Sequence, residues 1–223
     1  MRGAEGRTHI QAMPLPDPSP LFKTPVIPVL TIERVKDAIP LARALAAGGL
    51  PVLEVTLRTP VALEAVSAIA AEVPEVVVGV GTVIEVGDVA RALDAGARFL
   101  VSPGTPARLA EALAKAPVPA LPGASTVSEA MELSGRGFPV LKFFPAEASG
   151  GVAWLKSVAG PLPAVQFCPT GGVDWRNAAA YLALPNVIAI GGTWMAPAEA
   201  VVKGDFARIT ALARSAVQSA RVA

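Results

Sequence analysis

Short apolar runs punctuate the chain at nearly even intervals. They are Pro25–Leu30, Pro51–Val55, Val76–Val80, Phe99–Val101, Val118–Leu121, Val140–Phe144, Val165–Cys168 and Val187–Gly192. Each has the length of a strand, and their starts lie roughly 20 to 26 residues apart, about one compact strand–helix unit. Between the runs the apolar spacing turns helical. Val61, Ala65 and Ile69 share a face, as do Leu109 and Leu113, and Ile209, Leu212 and Ala216. Thr59-Pro60 and Thr105-Pro106 each offer an N-cap followed by proline at the first helical position. Thr126 to Glu129 reads as a capping box, and Asp174 and Asp205 are further N-cap candidates. Pro40 falls inside the helix expected over Glu33 to Ala47 and should kink or delay it.

Strands alternating with helices predict parallel pairing through right-handed crossovers. Eight such units in about 200 residues predict an α/β fold of the closed (β/α)8 TIM-barrel type; an open doubly wound sheet is the alternative. The expected organisation is one barrel domain over residues 25–223, preceded by an N-terminal arm, 1–24, poorly ordered or packed on the barrel. The start of that arm lacks the apolar stretch of a signal peptide.

Composition narrows the chemistry. Hydrophobic residues make up 52% of the 223, enough for one large core. With 19 basic and 18 acidic residues the net charge is +1, so no global field draws nucleic acid or an acidic membrane, and a bound anion must be held locally. A single cysteine, Cys168, allows no intrachain disulfide, which suits a reducing, cytoplasmic setting, and without a histidine partner it reads as a packing residue. The only histidine, His9, lies in the polar arm, which all but removes histidine triads and histidine-rich metal sites. Acidic clusters suited to Mg²⁺ are missing from the predicted strand ends, so no metal is expected. No apolar stretch has the length of a membrane span.

Within the strands, alternate residues face opposite sides. Lys142 shares a side with Val140 and Phe144, and no other lysine interrupts a predicted strand. Burial disfavours a charged amine and leaves some of it neutral, as a Schiff-base nucleophile requires. Glu54 presents the same anomaly beside Val52 and Thr56, and Arg58 continues its parity beyond the strand. A carboxylate near the lysine can shuttle protons, and a guanidinium can grip a substrate carboxylate. A purely structural ion pair is the competing reading. Thr82 continues the parity of Val78 and Val80. Glycine pairs follow the last two strands, Gly171-Gly172 and Gly191-Gly192, where this fold often binds phosphate with backbone N–H groups.

The runs LEVTLRT (53–59), GVGTV (79–83), SPG (102–104), PGAST (122–126), LKFFPAE (141–147), CPTGGV (168–173) and IGGTW (190–194) closely resemble the 2-keto-3-deoxy-6-phosphogluconate (KDPG) aldolases, which often also act on 4-hydroxy-2-oxoglutarate (KHG). The resemblance covers about residues 24 to 221 and leaves out the arm. It implies a metal-independent, cofactor-free class I aldolase that splits a phosphorylated keto acid into pyruvate and glyceraldehyde 3-phosphate, usually as a homotrimer. By resemblance Lys142 is the Schiff-base lysine and Glu54 the general acid/base, with Arg58 and Thr82 around the pyruvate carboxylate. Gly171, Gly172 and Thr193 match the phosphate site, and Pro103, Phe144 and Thr170 are expected to line the cavity. Relatives often carry serine where Thr193 stands. Two other readings stand beside this one: a phosphate-binding isomerase or epimerase using Glu54 as base, and a non-catalytic binding barrel.

Overall fold

The structure, a computed structural model, describes residues 14–220. The expectations that fall on residues 1–13, His9 among them, lie outside the described residues. All eight apolar runs contain a strand. The strands are β1 (Val26–Leu30), β2 (Val52–Thr56), β3 (Val77–Gly81), β4 (Leu100–Val101), β5 (Ala120–Leu121), β6 (Gly123–Ala124), β7 (Val140–Phe143), β8 (Gln166–Pro169) and β9 (Ile190–Gly192). The fifth run contains only β5; the short β6 lies beyond its end, separated from β5 by Pro122, which has no N–H for the ladder. Every pairing is parallel. One curled sheet has the order β5-β4-β3-β2-β1-β9 and the other β6-β7-β8. Parallel bridges Phe167–Val187 and Thr170–Gly191 link the run of β8 to that of β9.

Helices fill the intervals: α1 (Val35–Ala47), α2 (Ala62–Glu72), α3 (Val86–Asp94), α4 (Ala107–Ala114), α5 (Val127–Gly135), α6 (Gly151–Ala159), α7 (Ala178–Leu182), α8 (Ala198–Lys203) and α9 (Phe206–Ala220). The α1 helix starts at Val35, two residues after the expected Glu33, and runs on through Pro40. Two expected caps are corrected. Thr59 and Thr105 do not cap α2 and α4, because their hydroxyls donate instead to the carbonyls of Ile32 and Gly123, at 2.7 and 3.0 Å. Asp174 likewise precedes the helix it was expected to open, and Asn177 stands at the N-cap of α7. Asp205 does accept from the N–H of Arg208, at 3.1 Å in the first turn of α9.

The alternation of each strand divides the core. Leu53, Val55, Leu141, Phe143 and Phe167 join the large cluster shared with the helices. Ile27, Val52, Phe99, Val101, Leu121, Val140, Cys168 and Ala189 form a smaller cluster drawn from nearly every strand run. Leu21, on a single 3-10 turn at Ser19–Phe22, packs into that smaller cluster, so this part of the N-terminal arm is attached to the strands. Trp154 of α6 stacks on Phe143, with ring centroids 4.3 Å apart, and meets Phe167 edge-on at 5.5 Å. Trp175, by contrast, is exposed. No described helix is long and apolar enough to cross a membrane.

The capping box of α5 forms as the sequence predicts. Thr126 Oγ1 accepts from the Glu129 N–H at 3.3 Å, and the Glu129 carboxylate accepts from the Ser125 and Thr126 N–H groups at 2.8 and 2.9 Å. The Ser125 N–H is the main cause holding the Glu129 carboxyl below its ordinary value of 4.5. A lowered folded-state value means stabilisation that is full above the unfolded value and lost as pH falls through the folded one. Thr126→Ala should therefore cost about 1 kcal/mol in urea unfolding at neutral pH. The benefit of Glu129 over Gln at that position should fade as pH drops below 4.5. An unchanged difference in acid would show that the carboxylate charge does not contribute.

Candidate active site

Lys142 in β7 and Glu54 in β2 belong to different sheets, and their side chains meet. The Lys142 ammonium donates to Glu54 Oε1 at 3.0 Å. Both side chains are nearly sealed, at 4% and 5% exposure, which makes each dependent on the other for compensation of its charge. They sit on the strand faces that carry Val140 and Val52, next to the small inner cluster. The pair combines a proton donor, an acceptor within direct reach, and a potential nucleophile in surroundings that exclude water.

Missing side chains make room for it. A Cβ on Gly81 would stand 2.0 Å from Glu54 Oε1, so the end of β3 must be glycine for the carboxylate to lie where it does. Gly123, the ladder partner of Lys142, is pressed against the backbone of Pro103, whose carbonyl oxygen would be 2.3 Å from an added Cβ. The buried Ser102 hydroxyl accepts from the Gly123 N–H at 3.2 Å and pairs with Thr105 Oγ1 at 2.9 Å, fixing this strand beside the lysine. On the other side Lys142 is in register with Cys168. Burial first, then the nearby Glu54 charge, pushes the Cys168 thiol up to about 12, which leaves it a packing group and no nucleophile.

Several other expected residues gather here. The Phe144 ring lies 5.3 Å from the Lys142 nitrogen and also abuts Gly171, where a Cβ would be 3.2 Å from the ring. Thr170 packs on Gly191, which has no Cβ to oppose its hydroxyl. Thr82 directly follows Gly81 and adopts φ +62, an unusual backbone for a β-branched residue of the kind that concentrates at functional sites. Arg58 and Thr193 are exposed, and neither bonds to the ion pair. Thr82 and Thr193 border different cavities, of about 280 and 370 Å³, and neither cavity is lined by Lys142 or Glu54.

The glycine loops carry free donors. Gly171 and Gly172 have φ +96 and +79. Their carbonyls accept from Glu147 N and Asn177 Nδ2, each at 3.0 Å. Among the described residues the N–H groups of Gly171, Gly172 and Thr193 make no hydrogen bond to protein. Glu147, Asn177 and Tyr181 surround this loop and were not singled out from the sequence, although Tyr181 is the only tyrosine. Among the described residues no group of three His, Cys, Asp or Glu side chains could hold a metal ion.

Comparison with known proteins agrees along most of the chain. A family model describing KDPG and KHG aldolases matches residues 19–212. The KHG/KDPG aldolase of Escherichia coli (strain K12) is 50% identical over 198 residues, covering 89% of this chain and 93% of that protein. A crystal structure of KDPG aldolase from Legionella pneumophila, with pyruvate captured at low pH as a covalent carbinolamine intermediate, has a TM-score of 0.88 at 46% identity, covering 90% of this chain and 98% of the other. The aldolase of Zymomonas mobilis ZM4 with 3-phosphoglycerate gives 0.85 at 46% identity, over 89% and 94% of the two chains. Identical at half of the aligned positions to one member and close in backbone to two others, the chain belongs to the family of KDPG and KHG aldolases.

Proposed function

We propose that this protein cleaves KDPG to pyruvate and glyceraldehyde 3-phosphate through an imine on Lys142. The observation that carries the reading is the sealed 3.0 Å contact between Lys142 and Glu54, a nucleophile and its proton acceptor in one water-poor site. The amine attacks the C2 ketone after giving its proton to Glu54, and Glu54 returns that proton to the carbinolamine hydroxyl, which leaves as water to give the protonated imine and the free carboxylate. The protonated imine accepts the electron pair of the breaking C3–C4 bond while Glu54, directly or through a water, takes the C4 hydroxyl proton. The aldehyde leaves, the enamine is protonated, and water releases pyruvate and the lysine. The carbinolamine named for the Legionella pneumophila structure supports the first step.

Arg58 binds the pyruvate carboxylate in this reading, and Thr82 adds a hydroxyl. The free N–H groups of Gly171, Gly172 and Thr193 hold the phosphate, as a nearly neutral protein must with local donors. The 3-phosphoglycerate named for the Zymomonas mobilis structure is an anion of the same kind. KHG, named with KDPG for the Escherichia coli relative, is the second substrate. The chemistry needs no metal or cofactor. The two curled sheets read best as one closed (β/α)8 barrel: only Pro122 separates β5 from β6, two bridges join the runs of β8 and β9, and the ion pair spans from β2 to β7. A homotrimer is the assembly that the resemblance implies. Exposed Ile84, Met131 and Trp175 supply apolar surface for it.

Borohydride reduction with pyruvate should leave one adduct, mapped by mass to Lys142; a folded protein with no adduct would sink the imine. Lys142→Ala should abolish turnover, and Glu54→Gln should slow kcat about 10²- to 10⁴-fold. Because Lys142→Ala strands a buried carboxylate at a cost of about 3–5 kcal/mol, its folding is to be checked by circular dichroism alongside. Arg58→Ala should raise the KM for pyruvate in the synthetic direction about tenfold with little change in stability; an unchanged KM would remove it from the carboxylate site.

A further inference from the structure

Three side chains outside the ion pair converge behind the Gly171-Gly172 turn. Asn177 and Tyr181 are four residues apart, at the N-cap and in the body of α7, and so lie on one helix face. Asn177 Nδ2 donates to the Gly172 carbonyl at 3.0 Å, while its Oδ1 accepts from Asp174 N at 2.9 Å. The Tyr181 side chain is fully buried, and its hydroxyl donates to the Glu147 carboxylate. Burial, followed by that contact, pushes the phenol well above its usual range, so it stays a neutral donor. Glu147 in turn covers the turn from the β7 side. Its N–H donates to the Gly171 carbonyl at 3.0 Å, and its Cγ occupies the space of a Gly172 Cβ, which would be 2.5 Å away. Ala146 N adds a bond to the Thr170 carbonyl at 2.8 Å.

Two successive glycines have few backbone restraints of their own, so the direction in which their N–H groups point is set by whatever holds their carbonyls. Here both carbonyls are held and both N–H groups are left free among the described residues. We propose that Glu147, Tyr181 and Asn177 act as a positioning buttress that aims these N–H groups at the substrate phosphate, and that this buttress sets the preference for phosphorylated over phosphate-free keto acids. None of the three touches the ion pair, so the buttress tunes binding at the phosphate end without entering the carbon chemistry. The inference rests on the reading of that loop as a phosphate site given above.

The test compares steady-state cleavage of KDPG with that of KHG, which carries no phosphate, in Tyr181→Phe, Glu147→Ala and Glu147→Gln. Tyr181→Phe and Glu147→Ala should raise the KM for KDPG about tenfold while kcat/KM for KHG stays within about twofold. Glu147→Gln keeps an oxygen to accept the phenol proton and should restore a KM near that of the unaltered protein. Each variant serves as its own control for folding, since a general loss of structure lowers both activities together. Equal losses on both substrates, or no change on either, would overturn the buttress. If the unaltered protein shows no lower KM for KDPG than for KHG, and inorganic phosphate does not compete with KDPG, the phosphate reading itself falls and takes the buttress with it.

Discussion

Two opposite charges held almost entirely out of water constrain everything around them. Neither Lys142 nor Glu54 has another ion partner within reach among the described residues, and they come from strands in separate sheets. Removing both from water costs several kcal/mol per ion, recovered only when the contact geometry is good. The ladder registers that place Glu54 opposite Gly79 and Lys142 opposite Gly123 and Cys168 are therefore what bring the two charges together. A one-residue slip in either strand would turn its charge into the helix-facing core.

The inner cluster supports this arrangement from one side. Val52 and Val140 lie two positions before the charged residues on the same strand faces, and Leu21 fills the cluster from outside the strands. Apolar packing thus excludes water below the pair, while turns and exposed side chains such as Arg58 and Thr193 lie beyond it. The paired charges are held on strands, and the residues proposed for substrate recognition lie at strand ends and in the following loops. The precise element is rigid, and the loops that follow can vary with the ligand.

How legible this was in the sequence depended on the range of each interaction. A lysine or glutamate inside a five-residue apolar run stands out because burial of charge is costly wherever the strand ends up. The Thr126 capping box was legible because both partners lie within one turn. Thr59 and Thr105 were misread because their hydroxyls had better partners, Ile32 and Gly123, brought in by tertiary structure. The short β6, Gly123–Ala124, lay beyond the fifth apolar run and is defined only by its pairing with β7. The contact between Tyr181 and Glu147 spans 34 residues, and neither residue breaks a local pattern, so no periodicity could announce it.

The empty space at Gly81 has a further consequence. Glu54 reaches its partner only by occupying the volume where any side chain at position 81 would begin. Positions 54 and 81 are therefore sterically coupled. A larger residue at 81 would fit only with a shorter side chain at 54 or with the carboxylate displaced from Lys142. The backbone at the end of β3 is thereby tied to a carboxylate on a neighbouring strand, and a side chain there would cost Lys142 its buried partner.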